Sequence, residues 1–241
     1  MLSQDEIVRY QRQLLIPDFG VEGQSKLKEA HALIVGVGGL GCSSSLFLTA
    51  AGVGHITIVD FDSVELSDLN RQILYSQDDI GKRKVAVASR RLKKLNSSVE
   101  INPVFSEIKA DNVLKIISGA QVVLDGTDNL ATRLVLNSAC VKLKIPYIVG
   151  GVSRLRGVVT TIIPGTTPCM ACFPAEGLSG LGVLGVIPAI IANIQALEAV
   201  KLLEGHKPAL AGRLLLFNGD DMKFRNYEIR RSETCPICSA I

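Results

Sequence analysis

The 241-residue chain carries 26 Lys and Arg against 23 Asp and Glu, for a formal net charge of +3, with 47% hydrophobic residues, 5% aromatics and no Trp. So small a positive excess gives no ground for stable nucleic-acid binding, and the length suits one α/β domain while being short for two. The Val-, Ile-, Leu-, Ala- and Gly-rich composition fits a parallel sheet covered by helices.

In chain order, residues 4–15 read as a polar-to-amphipathic helix ending at Pro17, and 21–29 as a second short helix. The first residues, Met1-Leu2-Ser3-Gln4-Asp5-Glu6, lack the basic and apolar regions of an export signal, so a cytoplasmic location is expected. Ala32-Leu33-Ile34-Val35 is a buried strand, followed by a glycine loop, a helix over 41–51 and the strand Ile56-Thr57-Ile58-Val59-Asp60. That is a βαβ unit of about 30 residues. Residues 61–83 are polar and show no strong periodicity. A charged helix at 84–95, strand 99–104, helix 111–117, strand 122–125, helix 129–143 and strand 146–149 continue the alternation. Such alternation argues for a doubly wound, mostly parallel sheet.

After residue 150 the pattern changes. A strand at 157–163 has no helix behind it, and 173–185 is a Gly-rich loop. A long helix over 187–204 stops at Gly205, and strands 213–218 and 223–229 pair across Asn218-Gly219-Asp220-Asp221. The expected fold is a Rossmann-like, mostly parallel sheet extended by C-terminal antiparallel strands and a four-cysteine staple. It forms one domain over 1–241, with a nucleotide-binding part at 1–165 and a stapled crossover and C-terminal part at 166–241. The longest apolar stretch, 183–194, is interrupted by Gly185, Pro188 and Asn193, so no membrane span is expected.

Two Cys-x-x-Cys pairs, Cys169–Cys172 and Cys235–Cys238, have the composition of a structural zinc site. Four thiolates close a tetrahedral shell and leave no open position for water. The loop Gly36-Val37-Gly38-Gly39-Leu40-Gly41 follows a strand and opens a helix, the context a nucleotide-binding loop requires. Gly36 allows the tight turn, Gly38 lets backbone approach phosphate oxygens, and Gly41 permits close helix packing. The helix start then offers free N–H groups to an anion. Asp60 ends the second strand, where a ribose-binding acid belongs; Asp62, two residues on, also fits that role, but Asp60 at the strand end fits it better.

To this point an NAD-dependent oxidoreductase fits equally well. The next segment favours a triphosphate. Arg71 and Lys84 form a cation pair able to stabilise charge on a pyrophosphate leaving group. Asp128, in Asp125-Gly126-Thr127-Asp128-Asn129, is placed at the carboxyl edge of the sheet as a Mg²⁺-binding carboxylate; the plainer reading makes it the N-cap of helix 129–143. Cys42 stands at a helix start that would lower its pKa, but the favoured reading is a small packing residue, and Cys140 is expected to be buried. The three histidines have no acid or Ser partner in a recognisable motif.

Arg9-Tyr10-Gln11-Arg12-Gln13, the glycine loop, Asp60-Phe61-Asp62, Leu69-Asn70-Arg71-Gln72, Lys84, Thr127-Asp128-Asn129, both cysteine clips and Gln195-Ala196-Leu197-Glu198-Ala199 together resemble the MoeB/ThiF/HesA family, relatives of ubiquitin-activating enzymes. The resemblance implies ATP-dependent adenylation of a carboxylate, usually the C-terminal glycine of a ubiquitin-like sulfur-carrier protein. It implies that Asp60 binds ribose, that Arg71 and Lys84 handle phosphates, that Asp128 holds Mg²⁺, and that Gly36, Gly38, Gly39, Gly41, Asp62 and Asn70 contribute to the nucleotide site. It also implies a homodimer in which Arg12 reaches the neighbouring site. The chain departs from the family pattern twice. Asp68 stands where the family commonly has Asn, and a carboxylate beside phosphates is repulsive unless offset. The loop from Phe173 to Val183 lacks the Cys that many relatives use for a covalent carrier adduct, and Ser179 is a weak nucleophile in its place. The expectation is an acyl-adenylate that is released or passed directly to an acceptor, without a thioester. A small-molecule or RNA-attached carboxylate is the alternative substrate, and a zinc-stapled binding module without enzymatic activity is a more distant reading.

Overall fold

The computed structural model describes residues 1–173 and 179–239. Five strands pair in parallel in the spatial order β3-β2-β1-β4-β5. They are β1 (His31–Val35), β2 (His55–Asp60), β3 (Glu100–Phe105), β4 (Val122–Asp125) and β5 (Tyr147–Arg154). β6 (Arg156–Ile162) turns back antiparallel to β5, and β7 (Ser179–Val183) runs parallel to the far half of β5. β8 (Arg213–Asn218) and β9 (Lys223–Glu228) extend the antiparallel side. The mostly parallel sheet with antiparallel C-terminal strands is the fold expected from the sequence.

Helices cover both faces because the central strands are apolar on both. Ala32 and Ile34 of β1 join one core with residues of α3 (Gly20–Glu29), α4 (Gly39–Ala51), α5 (Lys84–Leu95) and α8 (Val186–Glu204). Leu33 and Val35, pointing the other way, join a second core with α6 (Val113–Ile117), α7 (Leu130–Leu143) and the four clip cysteines.

The structure corrects several boundaries. The single N-terminal helix is two, α1 (Gln4–Arg9) and α2 (Gln11–Leu14), broken where Tyr10 turns inward. Tyr10 is buried, and its hydroxyl accepts a bond from Asn96 Nδ2 at 2.8 Å. The polar segment 61–83 contains two one-turn 3-10 helices, Leu66–Asp68 and Gln77–Asp79, each closed by an aspartate that accepts from the residue before the turn. The Gly-rich loop contains β7, which periodicity missed because Ser-Gly-Leu-Gly-Val pairs through backbone; residues 174–178 of that loop lie outside the described residues. By length and composition alone α8 would suffice to cross a membrane, against the expectation from its interruptions. In the fold half of its apolar window is buried, against α4, β5 and β6.

Candidate functional site

The strand order reverses between β1 and β4, and a cleft of about 1040 Å³ opens there at the carboxyl edge of the sheet. Ligands of open α/β sheets bind at such switch points. Gly36, Gly38, Gly39, Asp60, Asp62, Asn70, Arg71, Lys84 and Asp128 all line it. Gly41 and Arg12 do not. Gly41 works from behind: a Cβ there would stand 1.8 Å from the Gly36 carbonyl, so only glycine lets α4 start against the turn. Arg12 is exposed on α2.

The turn after β1 needs glycine at position 36, where φ is +85° and a Cβ would meet the Gly126 carbonyl at 2.6 Å. Around Gly38 the nearest protein atom to such a Cβ is Gln72 Nε2 at 3.7 Å, so its open side faces the cleft rather than a packed neighbour. Gly38 caps α4 with no side-chain hydrogen bond, which leaves the first-turn N–H groups to an anion. Asp60 is tethered beside them: Oδ2 accepts from Val37 N–H at 2.7 Å and Oδ1 from Asp62 N–H at 2.8 Å. Burial pushes its carboxyl pKa up, with the two amides and Lys84 opposing.

Lys84 is 8% exposed at the side chain and lies 3.3 Å from Asp62 and 3.4 Å from Asp68. Burial pulls its pKa down, but Asp60, Asp68 and Asp62 outweigh that and hold it above the ordinary lysine value. Arg71 donates to Ser67 O at 2.7 Å and Asn70 Oδ1 at 3.1 Å, with Asp68 Oδ1 3.5 Å away. Asp68, the departure from the family pattern, is therefore the hub of both cations. Asp128 is exposed and makes no hydrogen bond or ion pair with the described residues. The helix cap that competed with its functional reading falls one residue later: Asn129 accepts from Thr132 N–H at 2.9 Å.

Sequence reading missed what holds these loops. Arg133, 2% exposed, pairs with buried Asp125 at 3.0 Å and donates to Thr127 O at 2.7 Å and Gly150 O at 2.8 Å. Thr127 in turn donates from N–H and Oγ1 to Asp125 Oδ1 at 2.9 and 2.6 Å. The turn that ends in Asp128 is thus tied at its base. Gln195 of α8 adds bonds to Asp125 O at 2.9 Å and Ile148 O at 3.0 Å. An arginine one turn into α7, directly ahead of Leu134-Val135-Leu136, is the available signal.

The four clip sulfurs lie within 4.8 Å of one another, with Cys169–Cys235 at 3.6 Å and Cys172–Cys238 at 3.4 Å. Ligand sulfurs of a tetrahedral zinc centre, about 2.3 Å from the metal, stand about 3.8 Å apart, so the donor set and spacing fit a metal such as zinc. Cys235 shows how a thiolate is favoured: burial opposes it, but backbone N–H groups of Cys238 and Ile237 bring its pKa down to about 7. Burial instead pushes Cys169 up to about 12 and also raises Cys172. The two cysteines outside the clips are raised as well. Burial pushes Cys42 up to about 12 despite its place in α4, and it also pushes Cys140 up. Cys42 donates to Val37 O at 3.2 Å and is a packing residue.

A family model described as the ThiF family matches residues 10–237. The chain belongs to the ThiF family. Among curated proteins it is 44% identical over 247 residues to the adenylyltransferase and sulfurtransferase MOCS3 of Culex quinquefasciatus, covering 99% of this chain and 56% of that protein. MOCS3 of Anopheles gambiae is 42% identical over the same length, again with 56% of that protein covered. The chain therefore spans just over half the length of these relatives. Among solved structures, E. coli MccB with a succinimide superimposes with a TM-score of 0.88 at 26% identity, covering 98% of this chain and 74% of MccB. E. coli MccB with ATP gives 0.87 at 27% identity, covering 95% and 73%.

Proposed function

We propose that this ThiF-family chain, as one adenylation domain over 1–241, uses ATP to adenylate a carboxylate and releases pyrophosphate. The favoured carboxylate is the C-terminal glycine of a ubiquitin-like sulfur-carrier protein. The observation that carries this reading is the convergence on one cleft of an uncapped helix start, the Arg71–Lys84 pair and the carboxylate of Asp128, unpartnered among the described residues. Solved MccB with ATP and the adenylyltransferase name of the MOCS3 relatives support it.

In this reading Asp60 accepts the ribose hydroxyls with lone pairs its amide partners leave free. An oxygen of the substrate carboxylate attacks the α-phosphorus. The bond from that phosphorus to the bridging oxygen breaks, and pyrophosphate leaves toward Arg71 and Lys84. No general base is required, because a carboxylate is ionised at neutral pH. The protein positions the groups and stabilises charge. Asp128 would hold Mg²⁺, which supplies neutralisation of the phosphate oxygens when bound. Zn²⁺ at Cys169, Cys172, Cys235 and Cys238 would be structural, and a cytoplasmic setting suits ligands that must stay reduced. A homodimer with Arg12 in the neighbouring cleft completes the proposal.

A second reading keeps the chemistry and changes the acceptor to a small-molecule or RNA-attached carboxylate. It is favoured by the absence of any Cys between Cys172 and Cys235. Pyrophosphate exchange with carrier proteins and with a panel of carboxylates separates the two. Arg71→Ala or Lys84→Ala should cut exchange by ~10²-fold, the effect of losing one preorganised donor. Near wild-type exchange in either variant would remove that residue from the site. Mixing Arg12→Ala with Lys84→Ala chains should restore one intact composite site per dimer, and no recovery despite verified subunit exchange would refute the shared site.

A further inference from the structure

We propose that Asp68 is a resident counter-ion to Arg71 and Lys84 that makes nucleotide binding conditional on a divalent cation. The proposal rests on the reading of the cleft as an ATP site. It starts from a buried carboxylate whose two oxygens are both committed. Oδ2 accepts from Glu65 N–H at 3.0 Å and lies 3.4 Å from Lys84 Nζ. Oδ1 accepts from Gln72 Nε2 at 2.6 Å and lies 3.5 Å from Arg71 Nη2. The Glu65 bond closes the 3-10 turn, so Asp68, only 6% exposed, is not free to swing away when a ligand arrives.

The consequence is electrostatic. Among the described residues the cleft is lined by Asp60, Asp62, Glu65, Asp68 and Asp128 against Arg71, Lys84 and Arg133. Arg133 is already matched by buried Asp125. A polyphosphate therefore meets two cations whose charge is answered before it enters, and it must share them with a fixed carboxylate. Close like charges in a partly desolvated cleft repel far more than in bulk water. A divalent cation bound with the phosphates would remove most of that repulsion. An Asn at this position would keep an oxygen acceptor and one hydrogen-bonding partner for the turn, and would release both cations to the phosphates. Asp68 is thus a positioning residue with a cost: it orders Arg71 and Lys84 and at the same time screens them.

The test is calorimetric titration of ATP into the full chain, with EDTA and with Mg²⁺, for wild type, Asp68→Asn and Asp68→Ser. Serine keeps an acceptor for the Glu65 N–H if the amide disturbs the turn. At least one folded variant should bind metal-free ATP about tenfold tighter than wild type, a gain that shrinks as salt is raised. With Mg²⁺ present the variants and wild type should agree within about threefold, by the charge argument above. The proposal is overturned if folded variants, with melting temperatures near wild type, bind metal-free ATP no more tightly, or bind it more weakly. Wild type that binds ATP under neither condition would overturn the ATP-site reading itself, an outcome distinct from the first.

Discussion

Arg133→Met tests whether the base of the Asp128 turn is held by a buried ion pair. The substitution keeps most of the side chain's length and removes its charge. Asp125, fully buried and 3.0 Å from Arg133 Nε, would lose its counter-ion, and the carbonyls of Thr127 and Gly150 would lose a donor. Breaking a buried pair from one side costs about 3–5 kcal/mol. Protonation of Asp125 limits the loss, since neutralising a carboxyl of ordinary pKa at pH 7 takes about 4 kcal/mol. A loss of about 4 kcal/mol is a large share of a total near 5–15 kcal/mol. It should lower the melting temperature by roughly 8–16 °C at this chain length. The assay is urea unfolding of wild type, Arg133→Met, Asp125→Asn and the double variant. The double variant should be more stable than Arg133→Met alone, with a coupling of about 2 kcal/mol or more. A loss below about 1 kcal/mol for Arg133→Met, or strictly additive losses, would refute the account.

Metal analysis of undenatured protein should find about one zinc per chain. Its removal by a chelator should make all four clip thiols titratable and lower the melting temperature. Freely titratable thiols in metal-free protein of unchanged stability would count against the staple. A pH prediction follows from Asp79, which is 3% exposed and lies 2.5 Å from Arg91 and 3.1 Å from Arg90. Burial alone would raise its pKa, but the Ser76 hydroxyl and amide and Arg91 outweigh it and hold it at about 2. A depressed folded-state pKa contributes stability that is complete above the unfolded value, near about 3.9, and disappears as pH falls through the folded value. Stability should thus decline between about pH 4 and 2, and Asp79→Asn should flatten that part of the profile; an unchanged slope would exclude Asp79 as its source.

The parts of the site legible in the sequence are those set by short-range pattern. Gly36, Gly38, Asp60 and Asp128 follow from their places at the carboxyl ends of strands, and Arg71 and Lys84 from the cation pair in the segment past Asp60; all line one cleft. The cysteine clips were equally readable, because a closed tetrahedral site needs four donors and two Cys-x-x-Cys pairs supply four thiols. What was not legible depends on partners remote in sequence. Asp125 and Arg133 are eight residues apart, yet their pairing makes sense only with Gly150 and Gln195 brought alongside. The bend at Tyr10 is set by Asn96, and β7 by the far half of β5. Asp68 looked like a liability in a phosphate site, and only the structure displays the Glu65, Gln72, Arg71 and Lys84 contacts that occupy it.

The touching turns after β1 and β4 have a mechanical meaning. Gly126 N–H donates to Val35 O at 2.7 Å, and a Cβ on Gly126 would stand 2.3 Å from the Gly36 carbonyl. No side chain lies between the two backbones to act as a cushion. The glycine loop and the Asp128 turn are therefore a single rigid floor, and neither tilts without the other. Any tightening of the cleft around an occupant must come from its walls, above all from the turn that follows the Leu66–Asp68 3-10 helix and carries Asn70 and Arg71. In the proposed reaction the floor would hold the reacting atoms in place, and the walls would enclose them.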